Sequence, residues 1–208
     1  MNASNKTTIT LRGEPMKTFF SCLSLACGIA VIALPGRAAP PKTGLKMPVH
    51  HLAAKAPVVR MVTNKGTILI KLYPKDAPIS VANFEKLVNK GFYNGLTFHR
   101  ITDLDPASPS KIVQGGDPQG NGQGGPGYMI KGEFTTNGVN NPMTHVAGAF
   151  AMARSQENDS AGSQFYICVN PVHDLDGKYA VFGMVIKGLD VADKLVIGDK
   201  MTKVTMIK

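Results

Sequence analysis

Tryptophan is absent from the 208-residue sequence, and cysteine occurs only three times. Cys22 and Cys27 lie in an apolar N-terminal segment, which leaves Cys168 as the one cysteine of the remaining chain. A single cysteine cannot form an internal disulfide, so the fold must be stabilised by its core. Cys168 stands in the apolar run Phe165–Val169 and is expected to be a buried small hydrophobic residue. The sequence also lacks the spacing of serine or cysteine with histidine and acid that a covalent hydrolase needs.

Charge is sparse, since 18% of the residues are charged and no run of lysine and arginine occurs. The net charge of +9 falls to +6 if residues 1–38 are removed, because these hold four basic residues and one acidic residue. A modest positive charge spread along the chain is typical of a solvated surface, so nucleic-acid binding is not expected. His50 and His51 are adjacent but have no further ligands nearby, and no metal or cofactor site is predicted.

The apolar run Phe19–Leu34 is short for a membrane span and typical of the apolar part of a secretory signal. Lys17 precedes this run, Pro35 breaks it, and small residues end at Ala38, after which cleavage is expected. We therefore predict a signal peptide over residues 1–38, with a retained membrane anchor as the alternative. Export is expected, to the periplasm in the first place, with no stable membrane association once the signal is removed.

Proline, alanine and lysine dominate residues 39–57, which we interpret as a flexible lead-in to a folded domain at 58–208. The domain has strand-like runs at Val58–Thr63, Thr67–Tyr73, Leu96–Ile101, Lys111–Gln114, Tyr128–Ile130, Ala149–Ala153, Phe165–Val169, Val181–Val185 and Val204–Ile207. Helical spacing occurs only at Ile79–Asn89 and Leu189–Leu195. Many short strands with two distant helices predict a mainly β fold, namely a closed eight-stranded antiparallel β-barrel capped by two α-helices.

The stretch from Leu96 to Asp117 contains two apolar runs that each carry a polar residue. If the runs pair as strands, Arg100 and Gln114 stand on one sheet face beside Ile112. A guanidinium and an amide at the edge of an apolar patch suit binding and twisting a peptide better than cutting one.

The glycine-rich stretch after Gln114 formally matches a dinucleotide fingerprint at Gly120, Gly122 and Gly125. That fingerprint needs a helix directly after it, so that phosphate meets a helix N-terminus. Pro126 and the glycine after it prevent a helix from starting there. We interpret the glycines as a tight loop over the sheet and predict no nucleotide site.

From about Val58 to Lys208 the chain resembles the cyclophilin-type peptidyl-prolyl cis-trans isomerases, and its signal segment is similar to that of exported bacterial members. Five motifs stand in the family's order: Phe98-His99-Arg100, Gln114 to Asp117, Gly148 to Arg154, Gly162 to Ile167, and Leu175 to Gly183. The resemblance implies an enzyme that isomerises X–Pro bonds without a cofactor. It implies as partners proline-containing unfolded or extended polypeptides, and we expect a monomer.

The resemblance also implies the site residues. Arg100 and Gln114 correspond to the catalytic pair. The substrate-binding residues are a pocket for the proline ring, its rim, and the backbone that pairs with the peptide: Ile112, Tyr166, Leu175, Tyr179, Ala153 and Arg154. The alternative is a peptide-binding module or chaperone of the same fold with weak or no isomerase activity.

Three features depart from the family pattern. Lys111 stands where members usually have an aromatic residue, so the pocket is expected to lose one wall and gain a charge. The segment Thr102–Ser110 is longer than in the common form and is expected at the mouth of the site. It either selects substrates or is an ordinary surface loop, and we favour the surface loop. Asp174 replaces the Trp or His that helps members bind cyclosporin, so strong inhibition by that peptide is not expected.

Overall fold

The computed structural model describes residues 56–105 and 107–207, so the predicted signal peptide and nearly all of the lead-in lie outside the described residues. The described part holds eight strands and two helices: β1 Val58–Thr63, β2 Gly66–Leu72, α1 Pro78–Asn89, β3 Phe98–Asp103, β4 Lys111–Gly115, β5 Ala149–Met152, β6 Phe165–Cys168, β7 Val181–Lys187, α2 Leu189–Asp193 and β8 Met201–Ile207. Within these residues, neither helix has the length and apolar character needed to cross a membrane.

The eight strands form one antiparallel sheet in the order β3-β4-β6-β5-β7-β2-β1-β8. In the described residues β3 and β8 form no ladder with each other, and the segments before them share one isolated bridge, Thr97 with Lys200. Gly198, at φ +94°, turns the chain just before β8, so the two edges meet only where they begin. The mainly β fold with eight strands and two helices is confirmed, but the prediction of a closed barrel is wrong. The sheet is a curled, open half-barrel.

One predicted strand is absent from the described structure. Residues Tyr128–Ile130 form no strand, and Ile130 makes only an isolated bridge to Ala161. Tyr128 is 38% exposed and Met129 is 71% exposed. The apolar run therefore had no buried face to pack on, and Gly127, at φ +88°, already turns the chain in front of it.

Alternation along each strand separates two apolar clusters. On β6, Phe165 belongs to the larger cluster, which packs against α1 through Phe84. Tyr166 and Cys168 belong to the smaller cluster on the opposite face, together with Ile112. We call this second side the site face. Its apolar residues are buried, so this side of the sheet is closely packed.

A buried carboxylate from a distant loop satisfies the N-terminus of α1. The residue before the helix, Ala77, makes no side-chain cap within the described structure. Glu133, which is 2% exposed, instead accepts hydrogen bonds from the backbone N–H of Ile79 at 2.8 Å and of Ser80 at 2.7 Å. A negative charge at this end also complements the helix dipole. The contact ties α1 to the loop that leads into β5.

Candidate functional site

Strand pairing brings the two polar candidates together. Arg100 on β3 lies opposite Gln114 on β4, and Gln114 lies opposite Tyr166 on β6. The Nη1 of Arg100 donates a hydrogen bond of 3.2 Å to Oε1 of Gln114. The spatial pairing expected from the sequence is therefore present.

A β-bulge directs Arg100 to the site face. Phe98 pairs with Gly115 and Arg100 with Gln114, so His99 is the extra residue between them. Without the bulge, Phe98 and Arg100 would point to the same face, since side chains two apart on a strand share a face. Phe98 is completely buried in the larger cluster, whereas Arg100 is exposed on the other face. Because of the bulge, Phe98 packs in the core while Arg100, two residues later on β3, lies on the site face.

A cavity of about 140 Å³ lies on the site face. Its lining contains all eight site residues predicted from the sequence and one more, Leu104: the full set is Arg100, Leu104, Ile112, Gln114, Ala153, Arg154, Tyr166, Leu175 and Tyr179. The polar groups of Arg100 and Gln114 thus border a small cavity whose lining is partly apolar and partly polar. Among the described residues, no group of three or more His, Cys, Asp or Glu side chains is placed to hold a metal ion.

Gln164 orients Gln114, and sequence reasoning missed it as a site residue. The Nε2 of Gln114 donates to Oε1 of Gln164 at 2.9 Å. The Nε2 of Gln164 in turn donates to the backbone carbonyls of Gly122 and Gly124, both at 2.9 Å. This chain of amides fixes the Gln114 side chain so that its carbonyl oxygen faces Arg100. The only sequence signal was the position of Gln164 inside a family motif, because its partners lie 40 to 50 residues away.

The glycine-rich loop is organised by a carboxylate of the chain itself. Asp117, which is 1% exposed, accepts hydrogen bonds from the backbone N–H groups of Gln119, Asn121 and Gly122 at 2.5–2.9 Å. Burial alone would raise the pKa of Asp117, but these N–H bonds together lower it. A Cβ at Gly124 would lie 1.9 Å from the Asp117 carboxylate, so only glycine fits there. The loop amides that a phosphate would need are already occupied.

A buried polar chain runs from the cavity wall to the surface. The Tyr166 hydroxyl lies 2.9 Å from Nε2 of His145, and Nδ1 of His145 lies 2.9 Å from Asp176. The other oxygen of Asp176 lies 2.9 Å from Nδ1 of the exposed His173. Burial lowers the pKa of His145, against the opposing effect of Asp176. The neutral ring therefore donates a hydrogen bond through Nδ1 to Asp176 and accepts a hydrogen bond from the Tyr166 hydroxyl at Nε2.

The side chain of Arg154 holds the rim of the cavity in place. Its guanidinium donates to the carbonyl of Lys178 at 3.0 Å and lies 4.4 Å from the ring centre of Tyr179. This cation–π contact fixes Tyr179 at the rim. The N–H of Ala153 is donated to the carbonyl of Gln164 at 2.9 Å. That N–H is therefore already bonded within the sheet, and the pairing of this backbone with a peptide stays a prediction.

Lys111 does not place a charge in the cavity. It alternates with Ile112 on β4, so it points to the opposite face of the sheet. Its Nζ lies 2.9 Å from the carboxylate of Asp193 at the end of α2 and also bonds the Asp193 carbonyl. Leu104, from the inserted segment, is an additional apolar residue in the lining of the cavity. Asp174 is exposed and lines a separate, open depression instead of the cavity.

Comparisons with known proteins agree with this geometry. The family model described as "Cyclophilin type peptidyl-prolyl cis-trans isomerase/CLD" matches residues 58–208. Peptidyl-prolyl cis-trans isomerase B of Bacillus subtilis is 50% identical over 144 residues, which are 69% of this chain and 93% of that protein. A peptidyl-prolyl cis-trans isomerase of Helicobacter pylori is 43% identical over 148 residues, which are 70% of this chain and 84% of the relative.

Solved structures share the fold. A cyclophilin-type isomerase of Cryptosporidium parvum, crystallised in the presence of the dipeptide Ala-Pro, aligns with a TM-score of 0.61 at 26% identity, covering 73% of this chain and 99% of that one. A cyclophilin of Hirschia baltica aligns with the same TM-score and identity over 72% of this chain and 73% of its own.

Proposed function

The chain belongs to the cyclophilin-type peptidyl-prolyl cis-trans isomerases, and on that basis we propose that Arg100 and Gln114 catalyse its reaction on exported proteins that are still folding. The observation that carries the proposal is the hydrogen bond from Arg100 to Gln114 at the border of the cavity, which Ile112 and Leu175 also line. The cavity is the proposed site for the proline ring.

The chemistry to be performed is rotation about one amide bond. Amide resonance sets a barrier of about 18–20 kcal/mol. For X–Pro bonds the cis form lies only about 0.5–1 kcal/mol above the trans form, so both forms are populated and their slow exchange delays folding. In the twisted state, amide resonance is lost. The lone pair of the proline nitrogen is then localised on that nitrogen and can accept a hydrogen bond. A catalyst needs to stabilise that state more than either planar form.

Arg100 supplies a donor for the twisted amide. A guanidinium presents several N–H groups in a fixed plane, so one N–H can bond Gln114 while others face the substrate. Gln114, held by Gln164, positions the substrate backbone beside the guanidinium. The walls formed by Ile112 and Tyr166 hold the proline ring while the preceding carbonyl rotates. The proposed catalysis is electrostatic and geometric, with no covalent step.

Proline-containing peptides are the proposed substrates. The relative from Cryptosporidium parvum was crystallised in the presence of Ala-Pro, which supports a proline-containing ligand for this cavity. Export rests on the sequence of residues 1–38, and the proposed location is the periplasm. Mass measurement of the mature N-terminus tests this part, since cleavage after Ala38 gives a chain that begins at Ala39, and a retained anchor does not.

The catalytic roles are tested by isomerisation of an Ala-Pro peptide with the purified protein and its Arg100→Ala variant. We expect a fall in kcat/KM of roughly 10²–10³-fold, as for the loss of one transition-state hydrogen-bond donor. Arg60→Ala is the matched control, because Arg60 is an exposed arginine on β1 outside the cavity. An Arg100→Ala variant with wild-type activity would overturn the proposed role. The alternative is a binding module or chaperone with weak or no isomerase activity, which Lys111 favours as a lost aromatic wall and an added charge. The pairing of Lys111 with Asp193 argues against the added charge.

A further inference from the structure

We propose that Leu104 is a specificity-determining residue that sets the size of the ring the cavity accepts. The inference rests on the proposed function, since it takes the cavity as the proline site. Leu104 belongs to the inserted segment Thr102–Ser110, which resemblance to the family could not interpret.

The first observation is the composition of the cavity wall. Leu104 lines the cavity together with Ile112, Tyr166 and Leu175, and it is the one lining residue contributed by the insertion. It is 36% exposed, so the rest of its surface is covered by protein although it stands at the mouth. Lys111 is paired with Asp193 and is not among the residues that line the cavity. Leu104 is therefore the insertion's contribution to the apolar part of the lining.

The second observation is that the segment is held in place on both sides of Leu104. Ser110 is 4% exposed, and its hydroxyl accepts the N–H of Asp105 at 2.6 Å and donates to the Asp105 carbonyl at 3.1 Å. The N–H of Ser110 donates to the carboxylate of Asp103 at 3.3 Å. The carbonyl of Ser110 accepts the N–H of Leu104 itself at 3.4 Å. One buried serine therefore bonds the side chain of Asp103 and the backbone of Leu104 and Asp105.

Size selection follows from these two observations. A wall held by backbone hydrogen bonds cannot retreat freely, so a ring with one more methylene must displace Leu104 or bind higher in the cavity. The discriminating probe is pipecolate, the six-membered homologue of proline, placed in an otherwise identical Ala-X peptide. In a fully enclosed pocket one methylene changes kcat/KM by about 10–200-fold, and a partly exposed wall is worth less.

The test compares the ratio of kcat/KM for the pipecolate peptide to that for the proline peptide, measured by NMR exchange spectroscopy on the purified protein. Leu104→Ala is expected to raise this ratio by at least ~3-fold and to lower kcat/KM for the proline peptide by roughly 3–10-fold. Leu104→Met, which conserves volume, should keep the wild-type ratio. Ile186→Ala is the matched control, because Ile186 is an exposed apolar residue (53%) on β7 outside the cavity.

Ser110→Ala tests the positioning of the wall. Its loss of two hydrogen bonds should move the ratio in the same direction as Leu104→Ala, although every lining side chain is still present. A purely structural serine would lower the melting temperature and leave the ratio unchanged, which would contradict this part of the inference.

An unchanged ratio in Leu104→Ala, in an active enzyme, would overturn the inference and leave the proposed function intact. An inactive wild type would contradict the proposed function instead. In that case the methyl shifts of Leu104 during titration with the Ala-Pro peptide decide the inference. Saturable shifts confined to Leu104 and the other lining residues support it, and none at Leu104 overturns it.

Discussion

The hydroxyl of Tyr166 lies 2.9 Å from Nε2 of His145, a histidine with no exposed surface. The ring of Tyr166 is a wall of the cavity, while its hydroxyl points away from the cavity into the protein. A buried phenol needs a hydrogen-bond partner, and a buried imidazole needs two. His145 meets both needs, because Asp176 bonds its other nitrogen. The Tyr166 ring is therefore held in the cavity wall by the hydrogen bond of its hydroxyl.

Replacing Tyr166 with phenylalanine keeps the aromatic ring in the cavity wall and removes the hydrogen bond to His145. The Nε2 of His145 is then buried without a partner, and we expect the free energy of unfolding to fall by about 1–3 kcal/mol. Isomerase activity should fall much less, because the ring remains. Urea unfolding and a peptide assay on the same preparation measure both effects. Tyr179→Phe is the control, since the structure gives the Tyr179 hydroxyl no hydrogen bond within the described residues. Equal losses of stability in the two variants would contradict the anchoring role.

Acid should destabilise the fold through buried histidine. Burial lowers the pKa of His145 below its ordinary value of 6.5, so the unfolded chain takes up a proton that the folded chain does not. The unfolded state binds more protons there, and stability must rise with pH. The contribution is complete above about pH 6.5 and is lost as pH falls from 6.5 towards the folded pKa. Burial lowers the pKa of His99 as well, so both histidines act in the same direction.

The measurement is the free energy of unfolding between pH 8 and pH 5. A single histidine that titrates only when unfolded gives a slope of at most about 1.4 kcal/mol per pH unit. A His145→Gln variant should show a smaller slope in this window than the wild type. Asp176 acts at lower pH: burial alone would raise its pKa, but bonds from the two histidines and the His145 N–H lower it, so its contribution is lost below about pH 4. A flat profile from pH 8 to pH 5 would show that His145 is not buried in the neutral form.

The sequence predicted a mainly β fold of eight strands and named eight residues that the structure brings together around one cavity, because both depend on local patterns and ordered motifs. The roles of these residues stay predictions. Alternation around β4 and β6 was enough to place Ile112, Gln114 and Tyr166 on one face. It could not place Arg100 correctly relative to Phe98, because the bulge at His99 is fixed by how β3 pairs with β4. Closure of the barrel also depends on where distant edges meet. The sequence therefore missed that β3 and β8 part after one bridge.

Two features near the cavity were not predicted, each for a different reason. Lys111 was expected in the cavity on the basis of family position alone, but its partner Asp193 lies 82 residues further along the chain. Leu104 lies in an insertion for which the family offers no template. Alternation did contain the needed signal for Lys111, since its neighbour Ile112 lines the cavity and adjacent side chains on a strand face opposite ways.

The thiol of Cys168 should be unreactive in the folded protein. It is fully buried, and burial raises its pKa to about 12, so almost no thiolate forms near neutral pH. Iodoacetamide at pH 8 should leave Cys168 unmodified in the native state and modify it after unfolding in urea. Peptide mass mapping separates it from Cys22 and Cys27, which belong to the predicted signal. Native labelling at a rate close to that of the unfolded chain would show that the site face opens readily around β6.

For Lys111, the sequence and the structure lead to opposite expectations about where its charge lies. If its charge lay in the proline cavity, Lys111→Met would remove a desolvated cation and lower KM markedly. Because the side chain is instead paired with Asp193, we expect KM for an Ala-Pro peptide to stay within about two-fold of the wild-type value, which is less than one methylene of contact in a pocket is worth. The pair is partly exposed, so its loss should cost at most about 1 kcal/mol of stability. A double-mutant cycle with Asp193→Ala measures that coupling. Ile112→Ala, one residue along the strand and inside the cavity, serves as the positive control and should raise KM clearly. A Lys111→Met variant that binds the peptide much more tightly than the wild type would show that the Lys111 charge does lie in the cavity.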